Sequence, residues 1–180
     1  MTAHGIVLAA GGGERYGRPK ALVESWLSHA VEALAEGGCD RVTVVLGAAA
    51  DEARELVGPG AGVVIATHWR EGISASLHAG LEHADPAHDV AVVHLVDLPG
   101  VGAGVVARVL AATDGAASLV RATYQGRPGH PVVIGRDHWQ AVIAATSGDH
   151  GAAGYLTAHG VTVVECSDLS SGDDVDSPDA

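Results

Sequence analysis

Short apolar runs alternate with helix-like patterns along almost the whole chain, and that alternation most restricts the folds open to it. Strand patterns fall at His4–Ala10, Arg41–Leu46, Val63–Thr67, Val90–Val96, Ser118–Thr123, Pro131–Ile134 and Val161–Cys166. Helical patterns lie between them, at Ala21–Glu36, Asp51–Val57, Ser74–His83, Gly104–Thr113, His138–Thr146 and Ala152–His159. Strands that are apolar almost throughout have no face to offer to water and need cover on both sides. The β-α-β order therefore predicts an α/β fold, a three-layer α/β/α arrangement around a mainly parallel sheet. Such sheets bind ligands beyond the carboxyl ends of their strands, which would bring the loops at Gly11, His68, Asp97 and Gly129 around one cleft.

The first strand pattern runs directly into Gly11-Gly12-Gly13-Glu14-Arg15-Tyr16-Gly17-Arg18-Pro19-Lys20. Glycines let a backbone turn through positive φ and bring its N–H groups close to phosphate oxygens, and the arginines and lysine supply countercharge. The segment is not a dinucleotide fingerprint, because Tyr16 stands where the third glycine belongs and the next strand ends Val45-Leu46-Gly47 without a ribose-binding carboxylate. Nor is it a P-loop, since Arg18-Pro19 follows Gly17 where Lys-Ser/Thr is required.

Formal charge is −12, from 22 acidic against 10 basic residues, which opposes binding to nucleic acid or to an anionic membrane surface. The Arg15/Arg18/Lys20 cluster is a local exception that would attract an anion. The apolar fraction of 47% contains no Phe and only 3% aromatic residues overall, so the core must pack closely through Ala, Val and Leu. A length of 180 residues suits one domain over 1–180, with enough core to dispense with disulfides or metal staples. Cys39 and Cys166 are too few and too far apart for a zinc or C-x-x-C site, and the eleven histidines form no H-x-x-x-H pair. No basic leader, cleavage pattern or membrane-length apolar run is evident, so a cytoplasmic protein is expected.

The segment Leu8-Ala9-Ala10-Gly11 through Arg15, Gly17 and Pro19-Lys20 resembles the opening motif of the MobA-like nucleotidyltransferases, with Tyr16 in place of the usual Met. Further motifs follow in register: Trp69-Arg70-Glu71-Gly72-Ile73-Ser74-Ala75-Ser76-Leu77, Asp97-Leu98-Pro99, Gly129-His130-Pro131, Gly148-Asp149-His150-Gly151 and Asp174-Val175-Asp176-Ser177-Pro178. Within that family the likeness is nearest to the molybdenum cofactor cytidylyltransferases. It implies a Rossmann-like sheet of the nucleotide-diphospho-sugar transferase type. It also implies transfer of a nucleotidyl group, CMP from CTP, to a phosphorylated acceptor such as molybdopterin, with Mg²⁺ and release of pyrophosphate. Relatives with this loop also use sugar phosphates or phospholactate-type acceptors. A nucleotide-binding accessory protein for a molybdoenzyme partner is the alternative of another class.

The resemblance assigns roles residue by residue. Leu8, Ala9, Ala10, Gly11, Gly12 and Gly13 would wrap the nucleotide, and Arg15 and Lys20 would neutralise its phosphates as pyrophosphate leaves. Asp97 would hold the metal, although Asp-x-Pro-Gly is also an ordinary turn sequence. Asp176, in competition with Asp174, would be the second metal ligand, whereas the tail's composition read alone is that of a solvated acidic segment. Ser76 would contact the base, the other reading of Ser74 and Ser76 being plain helix caps. Gly129, His130 and Pro131 would border the acceptor. Ala10 corresponds to the cytidylyltransferase form of the motif, and its methyl narrows the space beside the loop backbone.

Overall fold

The computed structural model describes residues 1–177. Each of the strand patterns forms a strand: β1 (Ala3–Ala9), β2 (Arg41–Leu46), β3 (Gly62–Ile65), β4 (Val90–Leu95), β5 (Leu119–Tyr124), β6 (Arg127–Gly135) and β7 (Thr162–Glu165). They make one seven-stranded sheet in the order β3-β2-β1-β4-β6-β5-β7. Pairing is parallel except around β6, which runs antiparallel to both β4 and β5. The α-helices are α1 (Trp26–Glu36), α2 (Ala50–Leu56), α3 (Ile73–His83), α4 (Ala103–Ala111), α5 (Trp139–Ala145) and α6 (Ala153–Ala158). Among the described residues, no helix is long and apolar enough to cross a membrane.

Alternate residues of each strand feed two cores. Val7, Val44 and Val92 pack under Leu27, Ala30 and Leu34 of α1 and Val105, Val106 and Val109 of α4. Ile6, Val45 and Val93 face the other way, against Leu77 and Leu81 of α3, Trp139 and Val142 of α5 and Leu156 of α6. Small residues let these layers close up: at Gly80 in α3, a Cβ would come within 2.7 Å of the Ile6 side chain on β1. Cys39 and Cys166 are buried and unpaired, as small apolar residues.

Two boundaries differ from the sequence reading. The helix expected from Ala21 starts only at Trp26, because Val23 is extended and Ser25 turns through φ +65°; Lys20–Leu22 form a separate 3₁₀ turn. Gly129 and His130, expected in a loop before a strand starting at Pro131, lie inside β6. A two-residue turn at Gln125-Gly126, with φ of 52° and 75°, joins β5 to β6. Two positive φ values match the twist of a tight hairpin, so pairing begins at Arg127 and carries Gly129 to Pro131 into the sheet.

Two histidines enter the core, His4 on β1 and His94 on β4, both fully buried. His4 on β1 donates Nε2–H to Thr43 Oγ1 at 2.8 Å and accepts the Asp85 N–H at Nδ1, at 3.1 Å. His94 on β4 is buried with no partner for either ring nitrogen among the described residues. Burial, then its neighbours His88 and Arg41, lowers the His4 pKa to about 4, while burial and then His29 lower that of His94 to about 4. The unfolded chain would bind protons at these rings near the ordinary value of 6.5, before the folded chain does. Stability is thus full above that value and falls as pH drops toward 4. Thermal melting should show this loss between pH 7 and pH 4, and His94→Leu should remove its share, of order 2–3 kcal/mol.

Candidate functional site

The strand order reverses beside β1: β2 and β3 continue to one side, and β4 lies on the other. The carboxyl ends of β1 and β4 therefore diverge into a crevice, the usual binding position in open α/β sheets. A cleft of about 780 Å³ opens there, lined by Leu8, Ala9, Ala10, Gly11, Gly12 and Gly13 of the loop after β1, by Arg15 and Lys20, by Ser76 of α3, and by Asp97 and Asp176. All the residues that the resemblance assigns to nucleotide and metal thus meet on one cleft. Arg18 does not line it.

The glycine loop is closed by the Gly17 N–H donating to the Gly13 carbonyl at 2.8 Å. Gly13 has φ +66°, and a Cβ there would sit 1.8 Å from the Arg18 carbonyl oxygen. Only glycine fits this turn. The chain then delivers Lys20 at the start of its 3₁₀ turn, where the ammonium donates to Asp97 Oδ2 at 2.7 Å and to Asp176 Oδ1 at 2.9 Å. Arg15 takes the other oxygen of Asp176 at 2.6 Å. Asp97 arrives directly from β4. Asp176 is carried by the tail, which is pinned in place by the Val175 N–H donating to the Asp97 carbonyl at 3.0 Å. The acidic tail is thus built into the site as far as Ser177; Pro178 of its motif lies outside the described residues.

These contacts differ in strength. Arg15 is 79% exposed, so its pair with Asp176 contributes only about 0–1 kcal/mol and is easily surrendered. Lys20 and Asp97 are 15% and 18% exposed and are held more firmly. Burial opposes the charge on Lys20, but hydrogen bonds to Asp97 and then Asp176 outweigh it and raise its pKa above the ordinary value. The hydrogen bond from Lys20 likewise leads the causes that lower the Asp176 pKa. Carboxylate oxygens of Asp97, Asp174 and Asp176 lie within 4.8 Å of one another, an all-oxygen set of the kind that hard divalent cations prefer.

The N-terminus of α3 faces the cleft through Gly72 and Ile73. Neither Ser74 nor Ser76 caps the helix, since Gly72 holds the N-cap position. Ser76 reaches the cleft, whereas the Ser74 hydroxyl is buried without a partner among the described residues. Gly129, His130 and Pro131 stand apart from this cleft. Gly129 gives its carbonyl to Arg121, Pro131 is buried, and His130 lines a separate cavity of about 130 Å³.

Sequence reasoning gave no role to Trp69 or Asp149, although both stood in quoted motifs. Trp69 walls the cleft beside Gly12 and carries the Arg70 guanidinium 4.4 Å above its ring centroid. A tryptophan in so aromatic-poor a chain was the available signal. Asp149, on the 3₁₀ turn Gly148–His150, lines both cavities and had no local signal beyond its motif.

The family model described as the MobA-like NTP transferase domain matches residues 5–163. Nicotine blue oxidoreductase of Paenarthrobacter nicotinovorans is 36% identical over 187 residues, covering 96% of this chain and 91% of that protein. The crystal structure of a Mycobacterium tuberculosis Rv0371c homologue from Mycobacterium sp. strain JC1 is 30% identical, with a TM-score of 0.81, covering 98% of this chain and 91% of that one. Rv0371c of M. tuberculosis H37Rv in complex with manganese is 25% identical, with a TM-score of 0.72, covering 92% and 88%.

The loop geometry carries its own test. Gly13→Ala should destabilise the fold by more than about 1 kcal/mol in thermal melting, because the new methyl meets backbone at an unfavourable φ. Gly11→Ala, where a Cβ would meet nothing within 4 Å, should melt almost as the parent does. Equal melting of both variants and parent would refute the constrained loop.

Proposed function

The chain belongs to the MobA-like NTP transferase family, and on that premise we propose that it transfers CMP from CTP to a phosphorylated acceptor such as molybdopterin, releasing pyrophosphate. The observation that carries this reading is the meeting of Lys20, Arg15, Asp97 and Asp176 in a glycine-lined cleft. An acceptor phosphate oxygen attacks the α-phosphorus; the new P–O bond forms as the bond to the β-phosphate bridging oxygen breaks, and pyrophosphate leaves with that electron pair. A phosphate monoester is largely ionised at neutral pH, so no protein base is required. His130 would be a poor one, because burial, then His94 and Arg121, lowers its pKa to about 3.

Asp97 and Asp176, with Asp174 beside them, are the residues that would hold a divalent cation, Mg²⁺ in this reading. Once bound, such an ion supplies charge neutralisation at the phosphates. The manganese complex of the Rv0371c relative supports a divalent metal as a ligand of this kind of protein. Lys20 now bridges the two acids where the cation would bind, so nucleotide and metal entry requires the ammonium to turn from carboxylate to phosphate. Freed from Asp176, Arg15 gains the same freedom. Both side chains then face the charge that develops on departing pyrophosphate. The nucleobase falls toward Ala10, Trp69 and Ser76, and the Ala10 methyl favours a single-ring base.

The name of the Paenarthrobacter relative supports a second reading, oxidoreduction. The lack of a dinucleotide fingerprint and of a ribose-binding carboxylate after β2 weighs against it.

A pyrophosphate-release screen of four NTPs against molybdopterin, sugar phosphates and phospholactate, with and without Mg²⁺ or Mn²⁺, tests the proposal. CTP should lead, Asp97→Asn should abolish turnover, and Lys20→Met or Arg15→Ala should cut the rate by about 10²–10³. Ala10→Gly should admit GTP, the methyl being worth at most about 10- to 200-fold. Oxidation of NADH or NADPH by a dye acceptor without pyrophosphate release would instead establish the oxidoreductase reading. Nucleotide binding with neither activity would establish an accessory protein. Separately, Mg²⁺ or Mn²⁺ should raise the melting temperature of Lys20→Met more than that of the parent, because no ammonium has to be displaced. Loss of this shift in Asp176→Asn but not Asp174→Asn would identify Asp176 as the second ligand.

A further inference from the structure

Arg121 occupies a position where a strand of this sheet has an apolar residue. On β5 it shares its face with Leu119, which packs in the α3/α5/α6 core, and it is half-buried. Its Nε–H donates to the Gly129 carbonyl at 3.1 Å, and its terminal N–H groups have no partner among the described residues. No carboxylate of those residues lies within ion-pair distance of it. Burial alone pulls its pKa below arginine's ordinary value. A half-buried guanidinium whose terminal nitrogens stay accessible and without a protein partner is placed to meet an anion that enters beside it.

The space beside Arg121 has a definite shape. Leu8, Val93 and Val132, from three neighbouring strands, give a flat apolar floor, and Leu77 of α3 and Leu156 of α6 lie on the helical side. The space is open on one side and holds about 130 Å³, close to the roughly 150 Å³ of an apolar cavity that admits benzene. His130 adds a neutral ring to the wall, and Leu8, Ile73 and Asp149 line both this slot and the larger cleft. The two spaces are therefore neighbours across one thin partition.

We infer that this slot is a binding site for small anionic compounds bearing a single ring, the ring lying on the sheet floor and its phosphate or carboxylate meeting Arg121. Resting on the nucleotidyl-transfer reading, the inference makes it the place where the acceptor is recognised, and it favours a single-ring acceptor such as a sugar phosphate over molybdopterin, whose fused rings exceed the slot. Selection then falls on the ring and the anion together: a free inorganic ion leaves the floor uncovered, and a neutral ring leaves Arg121 unpaired.

Titration calorimetry of the full chain with phenyl phosphate tests this, with phenol and inorganic phosphate as controls. Phenyl phosphate should bind at least about tenfold more tightly than either control, and Arg121→Met should lose about tenfold or more of that affinity. Lys20→Met should bind it like the parent, which separates the slot from the triphosphate loop. Ala153→Leu, at the exposed start of α6 on the slot's rim, should weaken phenyl phosphate without removing any charge, and so decides the matter even if Arg121→Met folds poorly. Unchanged affinity in Arg121→Met or Ala153→Leu, loss in Lys20→Met, or equal binding of inorganic phosphate would each overturn the inference. Pyrophosphate release with an unaltered acceptor KM in Arg121→Met would sink the slot and leave nucleotidyl transfer standing. Arg121-dependent binding with no pyrophosphate release from any substrate pair would do the reverse.

Discussion

Carboxylates brought to one point remain charged only if a cation stands between them, and the end of β4 is organised around that requirement. Asp97 comes from the strand and Asp176 from a tail segment almost eighty residues later, and Lys20 joins them from a turn near the other end of the chain. Three distant segments are thus tied by one ammonium. The same contact holds the tail over the cleft and fixes the far end of the glycine loop. Such a bridge stabilises the empty site but uses the lysine that a polyphosphate would need. Polyphosphate binding would therefore be an exchange of partners, in which each cation moves to a new neighbour.

The sheet makes that exchange possible by holding its ends still. β1 and β4 are paired along most of their length and covered on both faces, so the loops leaving them start from fixed points. Small side chains contribute by letting helices and strands approach closely, which leaves little slack for the loop origins to shift. The cost of placing histidines in this interior is pH sensitivity in the scaffold, separate from the chemistry of the cleft.

Much of the frame was legible in the sequence because continuous apolar strands and intervening helical periods are direct consequences of covering a sheet twice. The glycine loop and Lys20 stood out because charge beside glycine in an acidic, apolar chain has few other uses, whereas Asp97 and Asp176 were singled out only through the resemblance, their local sequence being that of a turn and of a solvated acidic tail. The hairpin was not: Gln125-Gly126 lacks the Asn or Asp that usually marks such a turn, and Pro131 suggested a strand start when β6 already begins at Arg127. That error put Gly129 and His130 in a loop bordering the main cleft, whereas they lie within β6 and His130 lines the smaller cavity. Arg121 was invisible for a related reason. An arginine in a strand pattern reads as an exposed position until tertiary packing shows that its face is covered.

Two pockets of opposite character now lie side by side. The larger is polar and rich in charge, suited to a ligand whose phosphates replace one set of ion pairs with another. The smaller is mostly apolar, with the Arg121 guanidinium in its wall and Asp149 on the side it shares with the larger, suited to a ligand that brings an anion to Arg121. A reaction joining the two occupants needs them to meet near the partition of Leu8, Ile73 and Asp149. Leu8 and Ile73 put apolar surface at that junction and Asp149 a carboxylate, with the cations Lys20 and Arg15 on one side and Arg121 on the other. Orientation would then arise from charge placement on both sides of the reacting centre, without a side chain having to act as nucleophile or base.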